Sequence, residues 1–249
     1  MTEPVSESMV QFADSEAPAA AVIARVDGAL HTGVLYKWNK KVGAVHMRIG
    51  VPVNNVHNEW GYGGLWMAPD ADDEMMYNVG LWCRRIYASF KDSKPLPFGM
   101  DPLPYALGYY GAKFIEGKKS VKLSLEQNER AQGLTCASFV LGIFKSAGIR
   151  LVEESTWVPR PEEDIDFVKT LRFSDTKLPE LRPALRAEAE SGIPRVRPEE
   201  VMGACCSSPL PVHFEQCREQ GQRVLKILEG LPIPQRVIMT PQNVNPAGV

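Results

Sequence analysis

Apolar and polar positions follow two different spacings in separate stretches of the chain. Alternation among β-branched and aromatic residues predicts an antiparallel β-hairpin, with strands over 29–38 and 43–49. Helical spacing of apolar residues predicts a helix over 70–90 and a buried helix that begins at Cys136, with Gly148 as its cap. The second half is predicted to hold a short strand and then mainly helices, over 149–152, 161–172, 178–191, 198–202 and 212–229.

The remaining segments suggest how the chain is divided. Residues 54–69 are rich in Gly and Trp, which predicts a surface loop, and four prolines between 95 and 104 predict a long connection. We therefore predict a flexible tail over 1–20, one α+β domain over 21–230 with an insertion at about 54–120, and an extended tail over 231–249.

Composition excludes several classes of function. The chain has 249 residues, and 28 Lys and Arg against 30 Asp and Glu give a net charge of −2, so a basic nucleic-acid module is not expected. The sequence shows neither a signal-peptide pattern nor an apolar run of membrane-spanning length, so we expect no stable membrane insertion. These features predict a cytoplasmic location in the producing cell, or export by a route that needs no signal peptide.

Five cysteines, an odd number, are present without a CxxC pair. This pattern favours reduced thiols, and we predict no metal and no cofactor. Cys205, Cys206 and Cys217 are expected to be buried, and His213 with Cys217, at i and i+4, would supply only two zinc ligands.

Cys136 is the candidate nucleophile. A thiol in the first turn of a helix lies at the positive end of the helix dipole, which favours the thiolate. His31 and His46 lie on the two strands of the predicted hairpin, so one imidazole can serve as a base and the other can orient it. These residues together predict a Cys–His–His triad.

Structural roles compete with this interpretation. A cysteine on an apolar helix is commonly an inert small hydrophobe, and a strand histidine is commonly structural. His213 is a rival base, because ordinary papain-like enzymes place the histidine after the cysteine. His57 lies in the Gly/Trp loop beside Glu59 and either lines a pocket or is simply exposed.

The order of these motifs resembles that of a known superfamily. His31-Thr32-Gly33-Val34-Leu35-Tyr36, then Ala44-Val45-His46, and later Cys136-Ala137-Ser138-Phe139-Val140 are similar to the circularly permuted branch of the NlpC/P60 papain-like superfamily. The second histidine is similar to that of the lecithin:retinol acyltransferase group, and the first strand also resembles the PPPDE peptidases. The resemblance implies a small antiparallel sheet packed on the cysteine helix, followed by a helical C-terminal elaboration.

The resemblance also implies roles for individual residues. Cys136 would be the nucleophile, His31 the general base and His46 the polar third residue. The predicted function is a cysteine hydrolase that cleaves an amide bond, as in a peptidase or cell-wall amidase, through a thioester. One alternative is an acyl hydrolase or acyltransferase on lipid or thioester substrates, and another is a non-catalytic interaction protein on the same fold.

The expected partners are a peptide, a modified protein or an acyl substrate. The aromatic residues of the Gly/Trp loop either form a platform for that substrate or pack over the core; they are Trp60, Tyr62 and Trp66. The sequence does not determine the oligomeric state.

Overall fold

The computed structural model describes nine segments of the chain, namely residues 9–26, 28–48, 51–55, 64–90, 103–109, 111–118, 120–124, 133–171 and 178–231. The strands are β1 (Ala19–Val26), β2 (Ala29–Trp38), β3 (Lys41–Arg48), β4 (Val51–Asn55), β5 (Leu65–Met67), β6 (Lys113–Glu116) and β7 (Val121–Ser124). The helices are α1 (Met9–Asp14), α2 (Asp73–Phe90), α3 (Cys136–Ser146), α4 (Pro161–Thr170), α5 (Leu178–Glu190), α6 (Pro198–Cys205) and α7 (Phe214–Glu229).

A five-stranded antiparallel sheet forms the centre of this α+β fold, with strand order β4-β3-β2-β1-β5. The predicted hairpin is confirmed as β2 and β3. Its turn is made by Asn39 and Lys40, both with left-handed φ angles, of 48° and 61°. A two-residue turn of this hand matches the twist of the flanking strands, so β3 begins at Lys41, two residues earlier than predicted.

The two faces of the sheet belong to different apolar clusters. Val34 and Val45 are directly paired and lie in the large core with side chains of α2, α3, α6 and α7. Leu35 and Ala44, the next pair, lie on the opposite face with Phe12 of α1 and Trp66 of β5. Because both faces are covered, β1 is almost continuously apolar rather than alternating.

The predicted helices at 70–90, at Cys136 and after Pro161 are confirmed as α2, α3 and α4 to α7. Gly148 follows α3 with a φ of 91°, a conformation that favours glycine after a helix end. The predicted strand over 149–152 is not formed; Val152 makes only an isolated parallel bridge with Val212. Pro211 beside that bridge has no N–H to extend the pairing, and a 3-10 turn begins at Glu154.

Three parts of the predicted division are corrected. Residues 9–20 of the predicted tail include α1 and the first residues of β1, where apolar side chains are buried. The predicted insertion at 54–120 contributes β5 to the central sheet and α2 to its core, so it is integral to the domain. Within it, 65–67 is a buried strand rather than a surface loop. β6 begins at Lys113, at the end of the predicted connection, and pairs with β7, which follows the predicted insertion.

Among the residues described, no helix combines the length and apolarity needed to cross a membrane. The predicted C-terminal tail lies outside these residues from position 232 onward.

Candidate active site

The N-terminus of α3 holds Cys136 in a fixed position. Thr135 is the N-cap, and its hydroxyl accepts a hydrogen bond from the Ser138 amide at 3.2 Å, while the Ser138 hydroxyl accepts one from the Thr135 amide at 2.7 Å. This reciprocal capping box fixes the first turn of the helix. The amide of Cys136, in that first turn, has no carbonyl partner within the helix.

Cys136 is partly exposed, whereas the other four cysteines of the chain are buried. Burial raises the pKa of the Cys136 thiol. Three features oppose this increase: the Thr32 amide directed at the sulfur, the positive charge of Arg195, and the first amides of α3. Burial is the largest of these effects, so the net direction is toward a higher pKa.

The two candidate histidines contact each other directly. Gly33 of β2 is paired with His46 of β3, and alternation then places His31 on the same face, one diagonal step away. The distance between His31 Nε2 and His46 Nδ1 is 2.8 Å, and the rings are nearly perpendicular at 88°. His46 is buried and His31 is partly exposed.

The histidine pair and the contact of Cys136 with β2 both lie at the end of β2. Pairing of β2 with β3 extends from Trp38 and Lys41 to Gly33 and His46, and β2 continues along β1 beyond this point. By alternation the imidazoles share the sheet face of Leu35 and Ala44, whereas the body of α3 packs on the other face. Cys136, the first residue of α3, contacts β2 through the amide of Thr32, the residue next to His31.

A loop over 103–109 adds a residue that sequence analysis missed. The Leu134 amide donates to the Pro104 carbonyl at 2.8 Å, and the Tyr109 amide donates to the Pro194 carbonyl at 2.8 Å. Tyr105 lies between these anchors, and burial raises the pKa of its phenol, as does the neighbouring thiol of Cys136. The positive charge of Arg195 partly opposes the increase in pKa of both groups.

Spacing along the sequence gave no signal for Tyr105 and Arg195. They lie about 30 and 60 residues from Cys136 and belong to irregular segments, so no periodicity connects them with it. In the sequence near Cys136, Gly133 is the residue that reflects the contact with the loop. A Cβ at this position would be 2.3 Å from the Pro104 carbonyl oxygen. This close approach requires a residue without a side chain.

The predicted substrate platform of aromatic residues is not observed as a group. Trp66 is buried on β5 and packs edge to face on Phe12, with ring centroids 5.3 Å apart. It is thus a core residue, which is one of the two roles considered for it. The other two aromatic residues of the predicted platform, together with His57 and Glu59, lie outside the described residues; they are Trp60 and Tyr62.

The rival base and three of the remaining cysteines lie in the C-terminal helical part of the chain. His213 is exposed at the N-cap of α7, close to Glu153. Cys205 at the end of α6, Cys206 at its C-cap and Cys217 of α7 are buried, as predicted. Burial raises their pKa values, that of Cys206 to about 12. Within the described segments, no group of three or more His, Cys, Asp or Glu side chains is arranged to hold a metal ion.

No protein-family model, curated protein or solved structure matches this chain.

Proposed function

We propose that this protein is a cysteine hydrolase that cleaves an amide bond, with Cys136 as nucleophile, His31 as general base and His46 as the residue that orients His31. The observation that carries this proposal is the 2.8 Å contact between the two imidazoles, next to the peptide group that meets the thiol. The resemblance of the same residues to the permuted NlpC/P60 branch supports these roles.

The state of the thiol explains why a base is needed. Because burial raises the pKa of Cys136, helix position alone does not provide a thiolate at neutral pH. A neighbouring imidazole can accept the proton as the sulfur attacks, as in other cysteine nucleophiles paired with histidine. The proton would pass from Sγ to Nδ1 of His31 at the end of β2, beside Thr32.

This role fixes the tautomer of the histidine pair. If Nε2–H of His31 donates to Nδ1 of His46, then Nδ1 of His31 carries a lone pair and can accept the proton of the thiol. The opposite arrangement would leave a proton on Nδ1 of His31 and prevent that transfer. The proposal therefore assigns His31 as donor and His46 as acceptor.

The reaction has two stages. The Cys136 sulfur attacks the carbonyl carbon while His31 accepts its proton, and the amide of Cys136 donates to the resulting oxyanion. Collapse of this intermediate breaks the C–N bond, and the imidazolium returns its proton to the leaving amine. Water then attacks the thioester with His31 as base, which releases a carboxylic acid and restores the thiol.

Acyl-enzyme trapping tests the proposal. The protein is incubated with the S-phenyl thioester or the anilide of N-acetylalanine, quenched in acid, and digested for mass spectrometry. We expect acetylalanyl groups on Cys136 with both probes, and a rate about 100-fold lower in His31→Ala, the loss typical of a missing general base. Cys136→Ala should abolish acylation, whereas Cys206→Ala, at a buried cysteine, should retain it.

The same experiment separates the alternatives. Acylation by the thioester without acylation by the anilide would contradict amide cleavage and favour an acyl hydrolase or acyltransferase. If neither probe modifies Cys136, the catalytic proposal fails. The raised pKa of the thiol would then favour a non-catalytic interaction protein.

A further inference from the structure

The N–H groups of β2 point alternately toward β1 and toward β3, as in any strand between two antiparallel neighbours. The Lys37 N–H donates to the Pro18 carbonyl at 2.9 Å, on the side of β1. The register of β2 with β1 is uninterrupted from Tyr36 to Ala29, so this alternation holds along the strand. Odd-numbered residues of β2 therefore direct their N–H groups toward β1, and even-numbered residues, Thr32 among them, toward the side of β3.

The N–H of Thr32 lies just beyond the paired part of β2 and β3. The last pair is Gly33 with His46, and the next pair along these described strands, Thr32 with Met47, is not formed. That pair would have given the Thr32 N–H a carbonyl partner in the sheet. Thr32 is fully buried, so bulk water does not replace the missing partner. The end of β2 thus presents a buried backbone donor that is left over from sheet pairing.

This donor faces the Cys136 sulfur. α3 packs against β2, and the contact between the Thr32 amide and the thiol favours the anionic form of the sulfur. The amide of Cys136 acts on the sulfur in the same way, and in the first turn of the helix it has no carbonyl partner of its own. A strand and a helix therefore each direct one backbone N–H at the same atom.

Buried hydrogen bonds hold both donors in place. The Thr32 hydroxyl donates to the Val22 carbonyl of β1 at 2.8 Å, which fixes this residue on the sheet. The capping box of Thr135 and Ser138 fixes the first turn of α3. These three hydroxyl residues are at most 4% exposed. Donors that are oriented before a reaction stabilise developing negative charge without having to reorganise.

We propose that the backbone N–H of Thr32 and the backbone N–H of Cys136 together form the oxyanion hole of the candidate active site. This inference rests on the proposed function, which assigns only the Cys136 amide to the oxyanion. As the sulfur bonds to the carbonyl carbon, the C=O π pair moves to oxygen and the thiol proton passes to His31. The oxyanion is attached to the same carbon as the sulfur, so a donor that faces the resting sulfur lies beside that oxygen in the intermediate.

A backbone ester at position 32 tests this role, because it removes the N–H and leaves the side chain unchanged. Thr32 of the full chain is replaced by its α-hydroxy acid analogue, in which oxygen takes the place of the amide nitrogen. Acylation of Cys136 by the S-phenyl thioester of N-acetylalanine should become about 100-fold slower, the loss typical of one missing oxyanion donor. Alkylation by iodoacetamide, which forms no oxyanion, should fall by no more than about threefold.

The same ester at Val34 is the matched control. The N–H of Val34 also points toward β3, but it lies in the paired part of the two strands. Each ester weakens the preceding carbonyl as an acceptor, and those carbonyls, of His31 and Gly33, are both directed toward β1. The Val34 ester should lower stability through the lost ladder bond, and it should leave the ratio of the acylation rate to the alkylation rate unchanged.

A measurement on the unmodified backbone keeps the test valid if the ester at position 32 does not fold. The aldehyde N-acetylalaninal adds to Cys136 as a hemithioacetal, whose oxygen takes the position of the oxyanion. In protein with isotopically labelled threonine, the Thr32 amide resonance is assigned by its absence from Thr32→Ser. We expect its amide proton to move downfield in the aldehyde adduct, and not in the adduct with iodoacetamide.

The inference is overturned if the ester at position 32 slows acylation and alkylation by the same factor, or leaves acylation unchanged. It is also overturned if the aldehyde leaves the Thr32 amide proton where it is in the iodoacetamide adduct. Neither measurement requires cleavage of an amide bond. A failure of the proposed function would therefore appear separately, in trapping with the anilide.

Discussion

Glu199 is an acid that the fold buries next to cations without pairing it directly. The residue is 8% exposed, and burial raises the pKa of its carboxyl, while the positive charges of Arg197 and Arg195 partly oppose this effect. A raised pKa in the folded state means that ionisation of Glu199 destabilises the fold relative to the unfolded chain. The penalty is absent below the unfolded pKa, about 4.3, and grows as the pH rises through the folded-state pKa.

Glu199→Gln should therefore be more thermostable than the wild type at pH 7. We expect an increase in Tm of about 2 °C or more, on the scale of 2–4 °C per kcal/mol for a chain of this size. The difference should shrink toward zero as the pH falls to about 4, where both side chains are neutral. Thermal unfolding followed by circular dichroism at several pH values measures it.

Glu215→Gln provides the control, because Glu215 is also in the first turn of a helix but is exposed. Removal of this charge should lower stability slightly at pH 7, by a few tenths of a kcal/mol, through loss of a favourable dipole interaction. A Tm for Glu199→Gln at or below that of the wild type at pH 7 would contradict the assigned penalty.

At the scale of elements, helix contacts depend on how closely two backbones approach. Gly203 of α6 faces α7, and a Cβ there would lie 2.1 Å from the Cys217 carbonyl oxygen and 2.7 Å from the Gly221 nitrogen. Gly80 of α2 faces β2, where a Cβ would lie at an ordinary 3.6 Å from the Cβ of Tyr36. The same substitution should thus have opposite effects in the two helices.

Gly203→Ala should lower the free energy of unfolding by about 3 kcal/mol or more, because the backbone of α7 must move. Gly80→Ala should leave stability unchanged or raise it by up to about 1 kcal/mol, the gain in helix propensity. Urea unfolding of both variants measures the difference. Equal losses would show that the contact between α6 and α7 is looser than described.

Elements with a clear local period were predictable, and those defined by distant partners were not. The β2–β3 hairpin and α3 each carry their own alternation or helical spacing. β5 has three residues beside glycines, and it becomes a strand only through its pairing with β1. The helix α1 is short, and its Phe12 is buried by contact with Trp66, which no local pattern indicates.

The residues of the candidate site were likewise predictable where a local sequence pattern indicates them, and not where distant contacts define them. His31 and His46 were predicted to meet because they share one hairpin, and the structure brings them within 2.8 Å. Cys136 was identified from its helix position, but burial acts on its pKa more strongly than the dipole does. The electrostatic effect of Arg195 on Cys136 could not be predicted, because Arg195 belongs to an irregular segment that is distant from Cys136 in sequence.

At the scale of the whole molecule, four of the five cysteines are buried in one apolar core. Cys83 of α2, Cys205 of α6, Cys206 just after it and Cys217 of α7 are buried in the same apolar cluster, while Cys136 remains partly exposed. A single core predicts cooperative exposure of these thiols on unfolding.

Brief alkylation with iodoacetamide in increasing urea should therefore label the thiols in two steps. Cys136 should react in the native protein, and the four buried cysteines should react together at the main unfolding transition. Mass spectrometry of the digested protein gives the labelled fraction of each. Labelling of the α6 and α7 cysteines at lower urea than Cys83 would instead show that these helices open as a separate unit.

The loop over 103–109 has a consequence for the order in which the site is completed. It is bonded to Leu134 at one end and to Pro194 at the other, so three regions far apart in sequence must meet around Cys136. Contacts of such long sequence separation close slowly during folding. A chain that ended before Pro194 would still contain the cysteine and both histidines, but it would lack the Pro194 carbonyl that anchors the loop. Reactivity at Cys136 is thus expected to mature only after the chain from Pro194 onward has folded.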